Sequence, residues 1–413
     1  MKQKTIKSPY RIDKYYDVII LCLCVTAALF IIWTFTGQWP WKSQPYNSYI
    51  LQVQSWLEGR LDLGRDYSYL EIAIFNGKYY ISFPPFPSYV MLPFVLIGWD
   101  TCDGMIAFVT SLAGAVYAYK ILRHFDIDSK RAIFFSLFLT VASNWLLTAQ
   151  VAWVWFIAQN MAFTLSLMAI YYALKGKAGL SLSFWACSVG CRPFQALYIP
   201  VLLYILYKKH MEENPADKFT DIIKKKYLCL IAPFLIALSY MVLNYARFGN
   251  IAEFGHNYLP EHTSSQYGQF HYTYILHNLA SLIRFPSIAS DGKWKYPLFN
   301  GMCWFMISPI VLSYVIYLIN SIVKKKPVNK TLTIMLPILI FVHLILLSAH
   351  VQMGGSHFGN RYPNDALPFV FLGLALLVPK EENKYHNLNY ILFLIGFGLN
   401  IVGTVGYYCN FFS

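Results

Sequence analysis

The 413 residues are 57% hydrophobic and 18% aromatic but only 13% charged. That charge is too little to cover the surface of a soluble domain, so the composition excludes one and predicts an all-α polytopic membrane protein, a single membrane domain over 1–413. The net charge of +13 does not call for a nucleic-acid partner, because its distribution follows membrane topology.

The first apolar run, Asp17–Phe35, is long enough to cross the roughly 30 Å hydrocarbon core. No small-residue cleavage site follows it, so it is expected to be a retained span. Further spans are expected at 104–121, 132–149, 150–174, 179–191, 193–207, 227–246, 301–322, 332–349, 364–379 and 388–409, about eleven in all. The segments 1–16, 120–131, 175–178, 208–226, 323–331 and 380–387 then hold 23 of the 33 Lys and Arg residues, while the acids divide equally between the two sides. By the positive-inside rule these segments and the N-terminus are cytoplasmic.

The apolar stretch Pro84–Trp99 carries four prolines and would reach only about 24 Å as a helix. A crossing here would also invert the charge rule, so a re-entrant or interfacial element is expected. The first extracytoplasmic loop thus extends over 37–103. It opens on Tyr46–Glu58, where Tyr46, Tyr49, Ile50, Val53, Trp56 and Leu57 share one helical face, the pattern of an interfacial helix. A second large loop, 248–300, contains the similar stripe Ile275, Leu276, Leu279, Leu282 and Ile283. A short third loop, 350–363, brings His357, Arg361 and Asp365 to the mouth of the next span. Asn, Gln and Ser within the runs, such as Ser143, Asn144, Gln159 and Asn160, are expected to bond between helices.

Ionisable groups at span mouths are costly unless paired, which makes them candidates for chemistry. Four outer acids, Glu58, Asp62, Asp66 and Glu71, fall within fourteen residues. Such a carboxylate can act as a general base towards a hydroxyl, or hold a divalent metal such as Mg or Mn. Arg192, Arg247 and Arg361 on the same side suit a phosphate through their planar forks. The same groups could equally pair with one another and neutralise the face. The six outer histidines, 256, 262, 271, 277, 350 and 357, show no HExxH or HxH spacing, so no zinc site is indicated. The eight cysteines show no CxxC pair, and there is no P-loop and no GxSxG turn.

Several segments resemble a bacterial branch of the GT-C membrane glycosyltransferases. They are "WLEGRLDLG" (56–64), "LEIAIFNGKYYISFPPFPSYVMLP" (70–93), "LSFWACSVGCRPFQALYIPVLL" (182–203), "NYARFGNIAEFGHNYLP" (244–260) and "HFGNRYPNDALPFVFL" (357–372), in the family's order. The resemblance implies a GT-C-like helical bundle in the bacterial plasma membrane. It also implies a sugar donor carried on a polyprenyl phosphate, an extracytoplasmic glycan, lipid or protein acceptor, and inverting transfer by an acidic base in the first loop. The usual aspartate shortly after the first span is missing from "GQWPWKSQPYNSY" (37–49), where Asn47 stands instead. The resemblance therefore points to Glu71 as the base and to Asp66 after it. Arg361 becomes a phosphate clamp oriented by Asp365, with Arg192, Arg247, Lys78 and His357 as further donor-binding candidates. A transporter or flippase of lipid-linked sugars, or a non-catalytic assembly protein, is the alternative; the sequence shows no two-fold repeat of the transporter kind.

Overall fold

An apolar chain in hydrocarbon has to satisfy its backbone hydrogen bonds internally, and helices are the way a single segment does so. The computed structural model describes residues 10–288, 290, 292, 294–324, 329–380 and 385–412. Parts of the expected basic segments 1–16, 323–331 and 380–387 lie outside the described residues, as do Asp291 and Lys293 of the second loop.

The first half runs α1 (Tyr10–Thr36), α2 (Ser48–Leu57), the hairpin β1 (Ile72–Phe75) and β2 (Lys78–Ile81), α3 (Phe86–Leu96), α4 (Asp103–His124), α5 (Ser129–Thr140), α6 (Trp145–Ala149), α7 (Val154–Leu174) and α8 (Ala178–Val189). The second half runs α9 (Ile199–Glu213), α10 (Phe219–Lys226), α11 (Ile231–Phe248), α12 (Pro260–Thr263), α13 (Ile275–Ser281), the strand pair β3 (Ser287–Ile288) and β4 (Trp294–Lys295), α14 (Trp304–Ile307), α15 (Ile310–Val323), α16 (Lys330–Ser348), α17 (Leu367–Leu377) and α18 (His386–Tyr408). Among the described residues six helices are long and apolar enough to cross a membrane, namely α1, α4, α7, the continuous run Phe219–Phe248, α16 and α18, and shorter apolar helices accompany them. The protein is a mostly helical, multi-pass membrane protein.

The helix α7 is the hub. It packs chiefly against α4 and α8, and Asn160 ties it to α4 by donating to Ala107 O at 3.0 Å and Ser111 Oγ at 2.9 Å. A large apolar core gathers α1, α4, α5, α7 and α15 to α17 around Trp145, Trp304 and Phe369. A second core seats α2, the hairpin and α3 on α7 and α8.

The expected helix 132–149 is broken. The helix α5 ends at Thr140, and the chain turns through Ser143 and Asn144 before α6. Both residues are fully buried. Asn144 N–H donates to Ser308 Oγ at 3.1 Å, and its side chain donates to Phe358 O at 3.3 Å. Ser308, between α14 and α15, thereby re-satisfies a backbone that leaves the helical path, as a hydrocarbon setting requires.

The first loop is folded. With 11 residues, α3 reaches only about 16 Å, too short to cross. Against it α2 buries Tyr49, Ile50 and Val53, together with Gln52 and Ser55. Ser88 Oγ of α3 donates to Gln52 Oε1 at 2.8 Å, which satisfies the oxygen of that buried amide. In α13 it is Asn278 that faces inward, donating to Ser348 O and His350 O, while Leu276 stays 82% exposed. Of the expected stripe, Leu276 and Ile283 are exposed, whereas Leu282 is buried. The three loops meet on one face: Phe270 bridges to His350, Phe299 to Ser356, and Phe75 of the hairpin packs on Tyr258 at 4.5 Å.

Candidate active site where three loops meet

The hairpin comes first, because it sets the position of Glu71. Asn76 and Gly77 both have positive φ, 49° and 73°, the two-residue turn whose twist matches paired strands. Ile72 pairs with Ile81 and Phe75 with Lys78. Below this register Ser82 Oγ meets Glu71 O at 3.2 Å, closing the mouth of the hairpin. Arg247, at the end of α11, holds the same base by donating to Ile81 O at 3.1 Å and Asn244 Oδ1 at 3.0 Å.

The four neighbouring acids have different fates. Glu58 and Asp62 pair with Arg60, and Asp62 also pairs with Lys78 at 3.6 Å, all at the surface. Asp66 is exposed and makes no hydrogen bond or ion pair among the described residues. Glu71 turns inward, and its Oε2 accepts from Trp155 Nε1 at 2.7 Å. Burial pushes its carboxyl above the ordinary range, the Trp155 hydrogen bond opposes that, Glu261 adds to it and Arg361 opposes it.

Two arginines belong to the site: Arg361, which acts on the Glu71 carboxyl, and Arg192, which acts on Arg361. Arg192 follows α8 and donates through Nε to Asp365 Oδ2 at 2.8 Å. Its guanidinium lies over the Tyr362 ring at 5.1 Å. Arg361, 5% exposed, donates through Nε and Nη2 to Gly354 O at 3.2 and 3.0 Å. Gly354 has φ of 100°, a conformation open to glycine, and this turns its carbonyl toward the arginine. Arg361 Nη1 is buried with no hydrogen-bond partner among the described residues. Burial presses down on its charged form, Tyr362, Glu71 and Asp365 favour it, and Arg192 opposes it.

Asp365 is 1% exposed and receives a dense set of donors. Besides Arg192 it accepts from Gln159 Nε2 at 2.6 Å, and its backbone oxygen accepts from Gln195 Nε2 at 2.8 Å. Gln159 also donates to Arg361 O at 2.7 Å. His357 is fully buried, and its Nε2 accepts the Arg361 backbone N–H at 3.1 Å. Burial first, and Arg361 second, drop its pKa to about 3, so the ring is uncharged and shapes the loop.

Arg361 is the common member of the group, within electrostatic reach of Glu71, Arg192 and Asp365. Asp66 and Lys78 stay at the surface, Arg247 serves the hairpin base, and His357 supports the Arg361 turn. Trp155, Gln195 and Tyr362 were missed by sequence reasoning, and Gln159 was expected only as a bond between helices. Trp155 and Gln159 stand four apart on one face of α7, a spacing that could have flagged Trp155 as well had its apolar surroundings not read as plain span.

A cavity of about 530 Å³ lies beside this group, with Trp155, Arg192, Phe194, His256, His350 and Tyr362 among its lining residues. Neither Glu71 nor Arg361 lines it; Trp155, which bonds Glu71, and Arg192 do. Three histidines, His256, His262 and His350, stand close enough for one nitrogen of each to lie within 4.8 Å of the others. Burial is the first cause that drops His256 to about 3 and His350 to about 4, so both are neutral. The absence of a sequence motif therefore does not keep metal-ligating side chains apart.

No family model and no curated protein matches the chain. Among solved structures it is similar to the crystal structure of ArnT from Cupriavidus metallidurans bound to undecaprenyl phosphate, with a TM-score of 0.52 and 13% sequence identity. The match covers 90% of this chain and 62% of that one, so the chain spans less than two thirds of its neighbour's length. The shared property is the fold.

Proposed function

We propose, from a chain that carries the GT-C membrane glycosyltransferase fold, that it transfers a sugar from a polyprenyl-phosphate donor to an extracytoplasmic glycan, lipid or protein hydroxyl. Glu71 takes the proton of the acceptor hydroxyl, the freed oxygen attacks the anomeric carbon, and the lipid phosphate leaves from the opposite side with inversion. Arg192 and Arg361 meet the charge that develops on that phosphate, where preorganised cations in a water-poor site act most strongly. Asp365, fixed by Gln159 and Gln195, orients Arg192. The fold neighbour is a protein bound to undecaprenyl phosphate, and a lipid carrier of that class would bring its phosphate to the loop face of the bundle.

The observation that carries the reading is the pairing of one inward carboxylate, held by Trp155 at 2.7 Å, with a buried arginine whose Nη1 has no protein partner among the described residues. A buried guanidinium nitrogen left without an acceptor is costly unless a ligand supplies one. Glu71→Gln, purified in lipid nanodiscs, should lose transfer from a labelled polyprenyl-phosphate sugar by about 10²- to 10⁴-fold, the scale of a general base. Its expression and thermal unfolding should stay near those of the parent. Full activity in that variant would remove Glu71 from the reaction and direct the same assay to Asp66→Asn.

A further inference from the structure

His256 opens a single 3₁₀ turn, His262 lies in α12, and His350 follows α16 by two residues. Their ring centroids are 5.0, 5.2 and 5.9 Å apart. His262 and His350 are each 5% exposed. Three imidazoles from two separate loops are thus gathered into one small, mostly dry volume.

Hydrogen bonds orient each ring. His256 Nδ1 faces Ser82 O at 3.1 Å, His262 Nδ1 faces His256 O at 2.9 Å, and His350 Nδ1 faces Gln352 O at 2.7 Å. A carbonyl oxygen only accepts, so His256 and His262 carry their proton on Nδ1 and a lone pair on Nε2. His350 Nδ1 also lies 3.1 Å from the Gln352 N–H, and the tautomer that donates to Gln352 O is the one whose Nε2 is free to ligate. Donation of the second ring N–H to a carbonyl is the outer support that histidine ligands of metals ordinarily have, and it sets both tautomer and ring orientation.

We propose that His256, His262 and His350 bind a divalent ion of the zinc type through their Nε2 atoms. Imidazole suits zinc and its transition-metal neighbours, whereas magnesium and calcium need oxygen ligands. The described group contains no carboxylate, so the hard cations are disfavoured. Zinc–nitrogen bonds of 2.0–2.1 Å would draw the three nitrogens to about 3.4 Å from one another in tetrahedral geometry, a contraction from within 4.8 Å that side chains on loops can make. His256 and His350 line the same cavity as Arg192. A fourth ligand, water or an anionic oxygen, would therefore come from that cavity. The ion would also pin three parts of the chain together, since His256 already leans on Ser82 at the mouth of the hairpin. The site stands on these contacts whether or not the cavity takes a sugar donor.

The experiment uses the full chain in nanodiscs, stripped with a chelator and titrated with cobalt(II). One cobalt per chain should bind with intense visible ligand-field bands of a tetrahedral site. Zinc should displace it, and excess magnesium should not. His262→Ala and His350→Ala should weaken cobalt binding by at least about 10- to 100-fold, the loss seen when even a supporting partner of a ligand is removed. His277→Ala, an exposed histidine on α13, should bind as the parent does. Absence of a saturable cobalt site in the parent overturns the proposal without reference to any variant. Binding unchanged in both His262→Ala and His350→Ala overturns it as well, and so does displacement of cobalt by magnesium.

Discussion

Glu71 is the one acid of the 58–71 stretch that turns inward, and its ionisation is a balance between burial and a single strong donor. Burial raises its pKa, and the Trp155 indole lowers it. A base must be ionised to work, so transfer should rise with pH through that raised pKa, above the ordinary carboxyl range. Trp155→Phe removes the donor and keeps an aromatic ring there, so the acid limb of kcat/KM should move to higher pH while the alkaline plateau changes little. A pH–rate profile of both proteins checks this. Equal loss at every pH would mean that Trp155 serves packing alone. The same residue explains why the site was only partly legible beforehand. Trp155 and Gln159 lie in an apolar run, where nothing local separates a side chain that positions an acid from one that fills a core.

At the scale of elements, the hairpin is two four-residue strands, too little to be stable alone. It persists because Ala73 and Tyr80 pack on Phe248 and because Arg247 binds its base. Gly77→Val places a β-branched residue at φ of 73°, at a cost of about 1–2 kcal/mol. Limited proteolysis should then cut within 72–81 faster than in the parent, with transfer reduced. Gly77→Asn, which tolerates this conformation, should return both towards the parent. The Asn76-Gly77 turn was visible in the sequence, but its strands were not. Ile72, Ala73, Tyr80 and Ile81 lack the regular alternation of a half-buried pair, since the chain covers both faces of the ribbon at its base and leaves the turn end exposed. In α2 the apolar residues Tyr49, Ile50 and Val53 were recognisable, whereas the burial of Gln52 depended on Ser88, 36 residues away. The histidine group shows the same limit more sharply: 256, 262 and 350 share no spacing, and only the contact between loops brings them together.

Across the whole molecule, composition was enough for the class, because scarce charge and long apolar runs leave few other folds for a chain of this size. The arrangement of sides is an expectation from the distribution of Lys and Arg. Lys78 on the hairpin and Asp126 after α4 are both well exposed, 61% and 76% by side chain. Single cysteines at these positions, in a background without the native thiols, should react with membrane-impermeant reagents from opposite sides of sealed vesicles. Labelling from the same side would invert one half of the bundle and remove the face-sharing of the three loops from the extracytoplasmic side.

The break at Ser143 and Asn144 also sets an order in time. Its partners are Ser308, Phe358 and Asn400, and Asn400 in turn donates to Ile307 O at 2.7 Å. A ribosome delivers residue 144 long before any of these. Until the last helix has entered the bilayer, Asn144 lacks these partners, although Val141 and Leu146 already bond within the segment, to Leu137 O and Ser143 O. The pair α4 and α7 can settle early through Asn160, whereas the turn at 143–144 reaches its final bonds only when α18 arrives.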